Sequence, residues 1–259
     1  MSARTLPDPV SPELVGLLRR LKLGRCLDTL PERLTLARGQ SLPHQDFLML
    51  LLSDEVTRRD QASAELRGRA AGLDPTMRLD TWDESAAVGY DRTLWAELTS
   101  LRFLDAGHAA LILGPVGVGK THLACALGHI AIRRRYSVIM GRADRLFHQL
   151  KAARLDASYD AELRRLTRVD LLILDDLCLH RLDGTETADF YEIIAERHRR
   201  AATVATSNRA PGEWIAAMAD PLLAQSAVDR LTGSAHELVV DGESYRRRQK
   251  PTVAAETPR

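Results

Sequence analysis

The chain has 259 residues, a formal net charge of +1, 45% hydrophobic and 27% charged residues, so it can hold one good-sized domain and a smaller one. Its longest apolar run, Phe47 to Leu52, is far shorter than the roughly 20 residues of a membrane helix. Its three cysteines lack the paired spacing of zinc or redox sites. The N-terminus has no secretory signal pattern, and we expect a cytoplasmic protein without a membrane span.

Residues 11–70 predict a small all-helical module. Ser11, Pro12 and Glu13 form a helix start: a capping hydroxyl, a first-turn proline and an acid at the positive end of the helix dipole. Leucines then recur at helical spacing, namely at Leu14, Leu17, Leu18 and Leu21. Because Gly72, Asp74 and Pro75 break the pattern, we predict a helical partner-binding domain over residues 1–75.

The texture changes beyond this linker, where short apolar runs alternate with helical patterns. The runs are Ala110–Leu113, Val138–Met140, Leu171–Leu174 and Thr203–Ala205. Such alternation predicts an α/β domain with a parallel sheet and flanking helices. We place this domain at residues 76–248 and predict a disordered tail over residues 249–259.

A phosphate-binding loop follows the first of these runs. The motif G-x-x-x-x-G-K-[ST] spans Gly114, Pro115, Val116, Gly117, Val118, Gly119, Lys120 and Thr121. Glycines let backbone N–H groups approach the phosphates, and the following helix offers them its positive end. Lys120 is expected to neutralise β- and γ-phosphate oxygens, and Thr121 to place its hydroxyl on Mg²⁺. The predicted cofactors are therefore ATP and Mg²⁺.

Polar residues end two later apolar runs and complete the predicted site. Asp175 is expected to hold Mg²⁺ directly or through water, and Asp176 to orient or deprotonate the attacking water. Asn208, in the Thr-Ser-Asn segment after the next run, can contact the γ-phosphate or that water. By themselves, two acids after a strand are more often a solvated turn, and an asparagine can simply cap a turn.

Several motifs taken together resemble a known family. They are GPVGVGKTHLA at residues 114–124, LLILDDL at 171–177, ATSNRAPGEW at 205–214, and the stretch from Asp229 to Arg246. These runs resemble the IstB-like ATP-binding proteins of insertion sequences, relatives of the DnaC helicase loader within the AAA+ class. The resemblance extends over nearly the whole chain, including the helical N-terminal module.

This resemblance implies roles for three further side chains. It makes Asn208 sensor 1, Arg230 an arginine finger that reaches the γ-phosphate of a neighbouring subunit, and Arg246 sensor 2, suited by a permanent charge and a donor fork. Alternatively, Arg230 pairs with a helix neighbour, and Arg246 begins an exposed basic tail. The sequence departs from the family pattern at Val116, where threonine is commoner, and at Cys178, where glycine is usual.

Basic and aromatic residues leave further alternatives open. The resemblance implies a DNA-binding surface along residues 142–168, which alternatively form a solvated helical hairpin. The basic residues there are Arg142, Arg145, Lys151, Arg154, Arg164, Arg165 and Arg168. Basic clusters at 133–135, 197–200 and 246–248 either bind DNA phosphates or close helices. Trp82 and Tyr90 either flank the adenine or pack in the core.

The predicted function is an ATP-dependent helper of transposition. We expect it to form an ATP-dependent oligomer on double-stranded DNA, largely independently of sequence, and to recruit or stimulate a transposase. The main alternative is a replicative helicase loader like DnaC, which shares every nucleotide-binding residue. A P-loop kinase for a small metabolite is disfavoured because no acceptor-binding lid is evident, and a purely structural DNA-binding protein does not require the acidic pair.

Overall fold

The computed structural model describes residues 10–83 and 88–245. It divides into two compact units, one ending at Glu65 and the other beginning at Leu66. This division falls inside a helix, ten residues before the sequence-based boundary at residue 75. The assignment of residues 1–75 as a partner-binding domain stays a prediction, and the proposed tail at 249–259 lies outside the described residues.

Most of the described chain is helical. The helices are α1 (Pro12–Arg20), α2 (Leu30–Gly39), α3 (His44–Ala70), α4 (Arg92–Ser100), α5 (Arg102–Asp105), α6 (Lys120–Arg133), α7 (Ala143–Ala153), α8 (Tyr159–Arg168), α9 (Gly184–Arg197), α10 (Pro211–Trp214) and α11 (Pro221–Thr232). Within the described ranges, none of them combines the length and the apolar composition that a membrane span requires.

The first unit is a helical module, as the leucine spacing predicts. The hydroxyl of Ser11 accepts a hydrogen bond from the backbone N–H of Leu14 at 3.3 Å and caps α1. A small core forms from the buried side chains of Leu18, Cys26, Leu30 and Leu51. The apolar faces of α1, α2 and α3 each contribute a leucine to this core.

The second unit is built on a parallel sheet. Its strands are β1 (Val88–Gly89), β2 (Ala109–Leu113), β3 (Val138–Arg142), β4 (Leu171–Asp175), β5 (Ala202–Ser207), β6 (Ala235–Val239) and β7 (Asp241–Gly242). Five of them form one parallel sheet in the order β3-β4-β5-β2-β6, while β1 and β7 pair separately as a short antiparallel ribbon. The predicted α/β fold with a parallel sheet and a helical N-terminal region is confirmed.

The edge strand β6 was not predicted from the sequence. It reads Ala-His-Glu-Leu-Val, and Leu238 is its buried side chain. β6 pairs with β2 alone. It lacks the continuous apolar run that identified the other four strands, including β3 at the opposite edge, so that pattern could not detect it.

The parallel arrangement brings the predicted catalytic residues together at the carboxyl ends of the strands. Leu113 at the end of β2 lies in register with Ser207 at the end of β5. Asp175 at the end of β4 lies in register with Arg142 at the end of β3. Since parallel strands end on the same side, the loops that follow them converge there.

The segment between β3 and β4 is a pair of helices fastened to α9. The side chain of Asp189, on α9, is only 1% exposed. It accepts hydrogen bonds from Nη1 and Nη2 of Arg154 and, at 2.8 Å, from the hydroxyl of Tyr159. Lys151 donates to Asp183 at 2.9 Å. Two of the seven basic residues proposed for DNA contact therefore hold this segment in place.

Arg197 is the basic residue whose location most clearly differs from a surface patch. Only 1% of it is exposed, and its guanidinium donates to five backbone carbonyls and one hydroxyl around the ends of α8 and α9. Burial lowers the pKa of Arg197 to about 10, so it stays charged at neutral pH. The cluster at 197–200 thus begins with a structural side chain that cannot reach DNA.

Candidate nucleotide-binding site

The loop between β2 and α6 has the backbone that a phosphate cradle needs. Gly114, Gly117 and Gly119 have φ values of 149°, 88° and 97°. A Cβ at these positions would lie 2.0 Å, 2.2 Å and 2.6 Å from a neighbouring atom. The atoms in the way belong to Val240, Ser244 and Trp82, in that order. Both the conformation and the close packing therefore require glycine.

Lys120 and the start of α6 provide the positive charge of this loop. Lys120 is 5% exposed, and its Nζ donates to the carbonyl oxygen of Pro115 at 2.7 Å, which curls the side chain back over the loop. No side chain caps α6, since its N-cap is Gly119. The N–H groups of the first turn are thus directed at the loop, as in anion-binding helix ends.

The carboxylate of Asp175 accepts hydrogen bonds from two threonine hydroxyls. The hydroxyl of Thr121 donates to Asp175 Oδ1 at 2.9 Å, and that of Thr206 donates to the same oxygen at 2.6 Å. Burial raises the pKa of Asp175 above its usual value, which the hydrogen bonds from these two threonines oppose. A divalent cation beside it would favour the charged form.

The donor set suits magnesium rather than a softer metal. In the described part of the chain, no group of three or more histidine, cysteine or acidic side chains is placed to hold a metal. Asp175 and Thr121 offer a carboxylate and a hydroxyl, both oxygen ligands. Mg²⁺ takes such a partial set and completes it with phosphate oxygens and water.

Asp176 and Asn208 face the same cleft, which has a volume of about 750 Å³ and also reaches Lys120 and Thr121. Asp176 has a φ of 55°, a left-handed conformation that aspartate tolerates. Its backbone N–H donates to the hydroxyl of Thr206 at 2.9 Å, which fixes the turn. The structure thus brings together the residues predicted to bind phosphate, metal and the attacking water.

Cys178 follows in a conformation that explains why glycine would suit its position. Its φ is 57°, in the left-handed region, and its side chain is 2% exposed. Burial raises the pKa of its thiol to about 12, so the thiol is neutral and packs as an apolar group. The core therefore accommodates a cysteine at the position where the family pattern has glycine.

One of the two aromatic candidates lies at the cleft. Trp82 lines it and packs edge-on against His122, with ring centroids 5.2 Å apart. His122 in turn donates from Nε2 to the carbonyl of Arg78 at 2.7 Å. Tyr90 lies behind Trp82, between it and Trp95, with centroids 6.1 Å from each. The packing alternative thus describes Tyr90, while Trp82 is placed to contact a base.

The segment after β6 closes over the phosphate loop. The backbone N–H of Val240 donates to the carbonyl of Leu113 at 2.7 Å, and that of Tyr245 donates to the carbonyl of Gly117 at 2.9 Å. Tyr245 itself lines the cleft. Arg246, the proposed sensor 2 residue, lies outside the described residues, directly after this contact.

Arg230 lies away from the cleft of its own chain. It lines a small depression with Gly107 and Ala109, at the opposite end of β2 from the phosphate loop. Its Nη1 donates to the carbonyl of Ser226 at 3.1 Å, and its Cζ lies 5.3 Å from the centroid of Tyr191. The helix-neighbour contact considered from the sequence therefore exists, and Arg230 is not among the residues that line the nucleotide cleft.

Two residues of the site were not assigned from the sequence. Thr206, on the strand beside Asp175, joins both acids through one hydroxyl. Arg142 lines the cleft beside Asp176. A hydroxyl inside the Ala-Thr-Val-Ala-Thr strand was a usable signal for Thr206. Nothing in the local sequence distinguishes Arg142 from the other arginines of its segment.

Two solved structures with this fold are a helicase loader and a protein bound to AMPPCP. The DnaC helicase loader is 21% identical and superposes with a TM-score of 0.52 over 57% of this chain and 87% of its own. AMPPCP-bound DnaA from Aquifex aeolicus is 26% identical, with a TM-score of 0.53 over 64% of this chain and 50% of its own. The AAA+ type of P-loop fold predicted from the motifs is confirmed.

Sequence comparison is more specific. Residues 16–253 match the family model described as IstB-like ATP binding protein. A Mycobacterium tuberculosis protein named for ATP binding in an insertion sequence is 37% identical over 241 residues, or 93% of this chain and 96% of its own. The Pseudomonas aeruginosa ATP-binding protein of insertion sequence IS21 is 32% identical over 238 residues, or 92% and 90%. The chain belongs to the IstB-like ATP-binding proteins of insertion sequences.

Proposed function

We propose that this protein is a magnesium-dependent ATPase that helps transposition by assembling on target DNA in the cytoplasm and recruiting a transposase. The observation that carries the proposal is the convergence of Lys120, Thr121, Asp176 and Asn208 on one cleft in a chain of an insertion-sequence family. The relatives' names support the transposition context. Likeness to the DnaC helicase loader supports the shared fold alone.

Each side chain has a step that its position suits. Lys120 leaves Pro115 to bind phosphate oxygens, and the N–H groups of the loop surround them. Thr121 and Asp175 would hold Mg²⁺, which would supply positive charge beside the phosphates. Asp176 orients the attacking water and takes its proton, while Asn208 holds that water or the γ-phosphate.

The active form is an oligomer with sites shared between subunits. Arg230 lies at the opposite end of β2 from its own phosphate loop and reaches a γ-phosphate only in a neighbouring chain. An arginine in this role accelerates hydrolysis by about 10³–10⁵-fold. Arg246 reads the nucleotide from within its own subunit, next to Tyr245.

DNA binding rests on the basic residues that the fold leaves available. Arg142, Lys151, Arg154 and Arg165 form ion pairs with acids of the same chain. Across residues 10–83 and 88–245, Arg145, Arg164 and Arg168 are in no ion pair and are exposed. Phosphate contacts from such residues bind double-stranded DNA with little sequence preference.

Transposase recruitment is assigned to the N-terminal helices. Large apolar side chains stay exposed on α1, at its C-cap and on the first half of α3, among them Leu17, Leu21, Leu48, Met49 and Val56. An apolar surface of this kind supports a protein contact. A helicase-loader role would use the same nucleotide site with a different partner at these helices.

The proposal is tested first at Asp176. Asp176→Asn keeps the side chain's shape and removes the charge that positions water, so ATP binds while steady-state hydrolysis collapses. The matched control is Asp160→Asn, because Asp160 is an exposed acid at the start of α8. Near-normal hydrolysis in Asp176→Asn would refute the catalytic role of Asp176. If the wild type does not bind ATP, the assignment of the cleft as a nucleotide site is refuted. Duplex-dependent capture of a transposase by the wild type tests the partner.

A further inference from the structure

A second cleft lies beside the nucleotide site. Its volume is about 460 Å³, and its walls include Arg142, Arg145, Gln149 and Arg165, from the end of β3 and from α7 and α8. Asp175 and Thr121 form its inner end. Three guanidinium groups around one cavity favour a phosphate ligand.

Arg142 lines both clefts. The other residues shared by the two are Met77 and Thr121, so the charge at the boundary comes from Arg142. Its strand position is in register with Asp175, and it lines the nucleotide cleft together with Asp176. A change in the position of its guanidinium therefore alters the field at the catalytic acids.

The hydrogen bonding of Arg142 is incomplete. Its Nη2 donates to Asp144 Oδ2 at 2.8 Å, but its Nε is buried without a partner, the single such side-chain nitrogen or oxygen in the described ranges. A buried donor without a partner is destabilising, so a ligand that satisfies it gains affinity. Arg142 is also the N-cap of α7 and offers that helix end no side-chain hydrogen bond. In the first turn of α7, the backbone N–H of Arg145 donates to Asp144 Oδ1 at 2.7 Å.

We propose that Arg142 couples the two clefts. A backbone phosphate of nucleic acid bound in the second cleft forms hydrogen bonds with the Arg142 guanidinium, and the resulting shift of this group sets the rate of ATP hydrolysis. The phosphate is bound by Arg145, satisfies Nε of Arg142 and draws the guanidinium away from Asp144. The charge beside Asp176 changes only when DNA is bound. This coupling rests on the proposed ATPase and DNA-binding function.

The test compares two single substitutions in the full-length protein. Hydrolysis is measured at saturating ATP without DNA and with increasing blunt duplex of mixed sequence. Arg142→Gln is expected to bring the ratio of the DNA-saturated to the DNA-free rate close to one, whereas in the wild type this ratio is expected to lie well above one. Arg145→Gln, which removes a charge from the second cleft alone, should raise the DNA concentration for half-stimulation and keep the ratio at saturation. ATP affinity and the thermal midpoint of each variant confirm that it is folded.

Each outcome decides between the coupling and its alternatives. A ratio in Arg142→Gln equal to that of the wild type overturns the coupling and leaves the proposed function standing. Equal loss of the ratio in both variants overturns the special role of Arg142. A wild type that hydrolyses ATP but neither binds nor responds to DNA overturns the coupling together with the proposed function.

Two further arms keep the assignment specific. Arg142→Lys retains one charge without the fork, so it should recover part of the ratio; no recovery, with ATP affinity normal, would make the residue structural and overturn the coupling. Inorganic phosphate replaces the duplex at the same phosphate concentration. Stimulation by it would assign the second cleft to a free anion and overturn the nucleic-acid assignment.

Discussion

Arg197 provides a quantitative test of what holds the α7–α8 segment to the sheet. In Arg197→Met, a side chain of similar length keeps the apolar packing but removes every donor. The carbonyls of Leu166, Thr167 and Val169, at the end of α8, then lose bonds of 2.9 Å, 3.2 Å and 2.8 Å. Those carbonyls belong to a helix end, where no backbone N–H replaces the lost donors.

The expected cost follows from burial. Hydrogen bonds to a charged group contribute about 1.5–3 kcal/mol each, but their losses are not additive because the freed carbonyls share the space that opens. A buried carbonyl left without its donor costs about 1–3 kcal/mol, and with this non-additivity we expect a total loss of about 3–5 kcal/mol. With a urea m-value near 2–3 kcal/mol/M, the unfolding midpoint should fall by about 1–2 M.

The assay is urea unfolding followed by tryptophan fluorescence. The three tryptophans, Trp82, Trp95 and Trp214, all lie in the second unit, so the signal reports that unit alone. Arg200→Met is the matched control, since the Arg200 side chain is 75% exposed and pairs with Glu196 at 3.4 Å. The control should stay within about 0.5 kcal/mol of the wild type. A loss below about 1 kcal/mol in Arg197→Met would refute the assigned structural role.

Four further outcomes are expected. Lys120→Ala should abolish tight ATP binding, measured by titration, while the unfolding curve followed by tryptophan fluorescence stays unchanged. Normal ATP affinity in this variant would contradict the assignment of the phosphate loop as the ATP site. Hydrogen bonds from neighbouring arginines lower the pKa of Glu55 from 4.5 to about 2, so its stabilising contribution is present above pH 4.5 and lost as the pH falls toward 2. Hydrogen exchange in α3, corrected for intrinsic rates, should show this loss in the wild type and not in Glu55→Gln. Mixing Arg230→Ala with Asp176→Asn should restore part of the hydrolysis, because one interface combines both intact residues; a mixture that exchanges subunits and stays inactive would exclude action across an interface. DNA affinity should fall steeply with salt and respond to Arg164→Glu; strong preference between unrelated duplexes at physiological salt would contradict the proposed DNA-binding mode.

The sequence alone was enough to identify the phosphate-loop motif and the inner strands of the sheet. The glycines around Lys120 are constrained by backbone conformation and close approach, requirements that are local and leave a readable pattern. The inner strands of the sheet are buried on both faces, so they appear as continuous apolar runs, and the acids after β4 mark where such a run ends. Motif and run together predicted the fold and the family, both confirmed.

Only the tertiary structure decided what the basic residues do. Arg154, Arg164 and Arg197 look alike in sequence, yet one is paired with a buried aspartate, one is exposed and one is buried among carbonyls. Likewise, nothing near Arg142 in the chain indicates that it borders two clefts. The charge of an arginine is fixed by its chemistry, but its partners come from distant elements packed around it. Its role is therefore set by the fold, whereas that of a loop glycine is set by its own backbone.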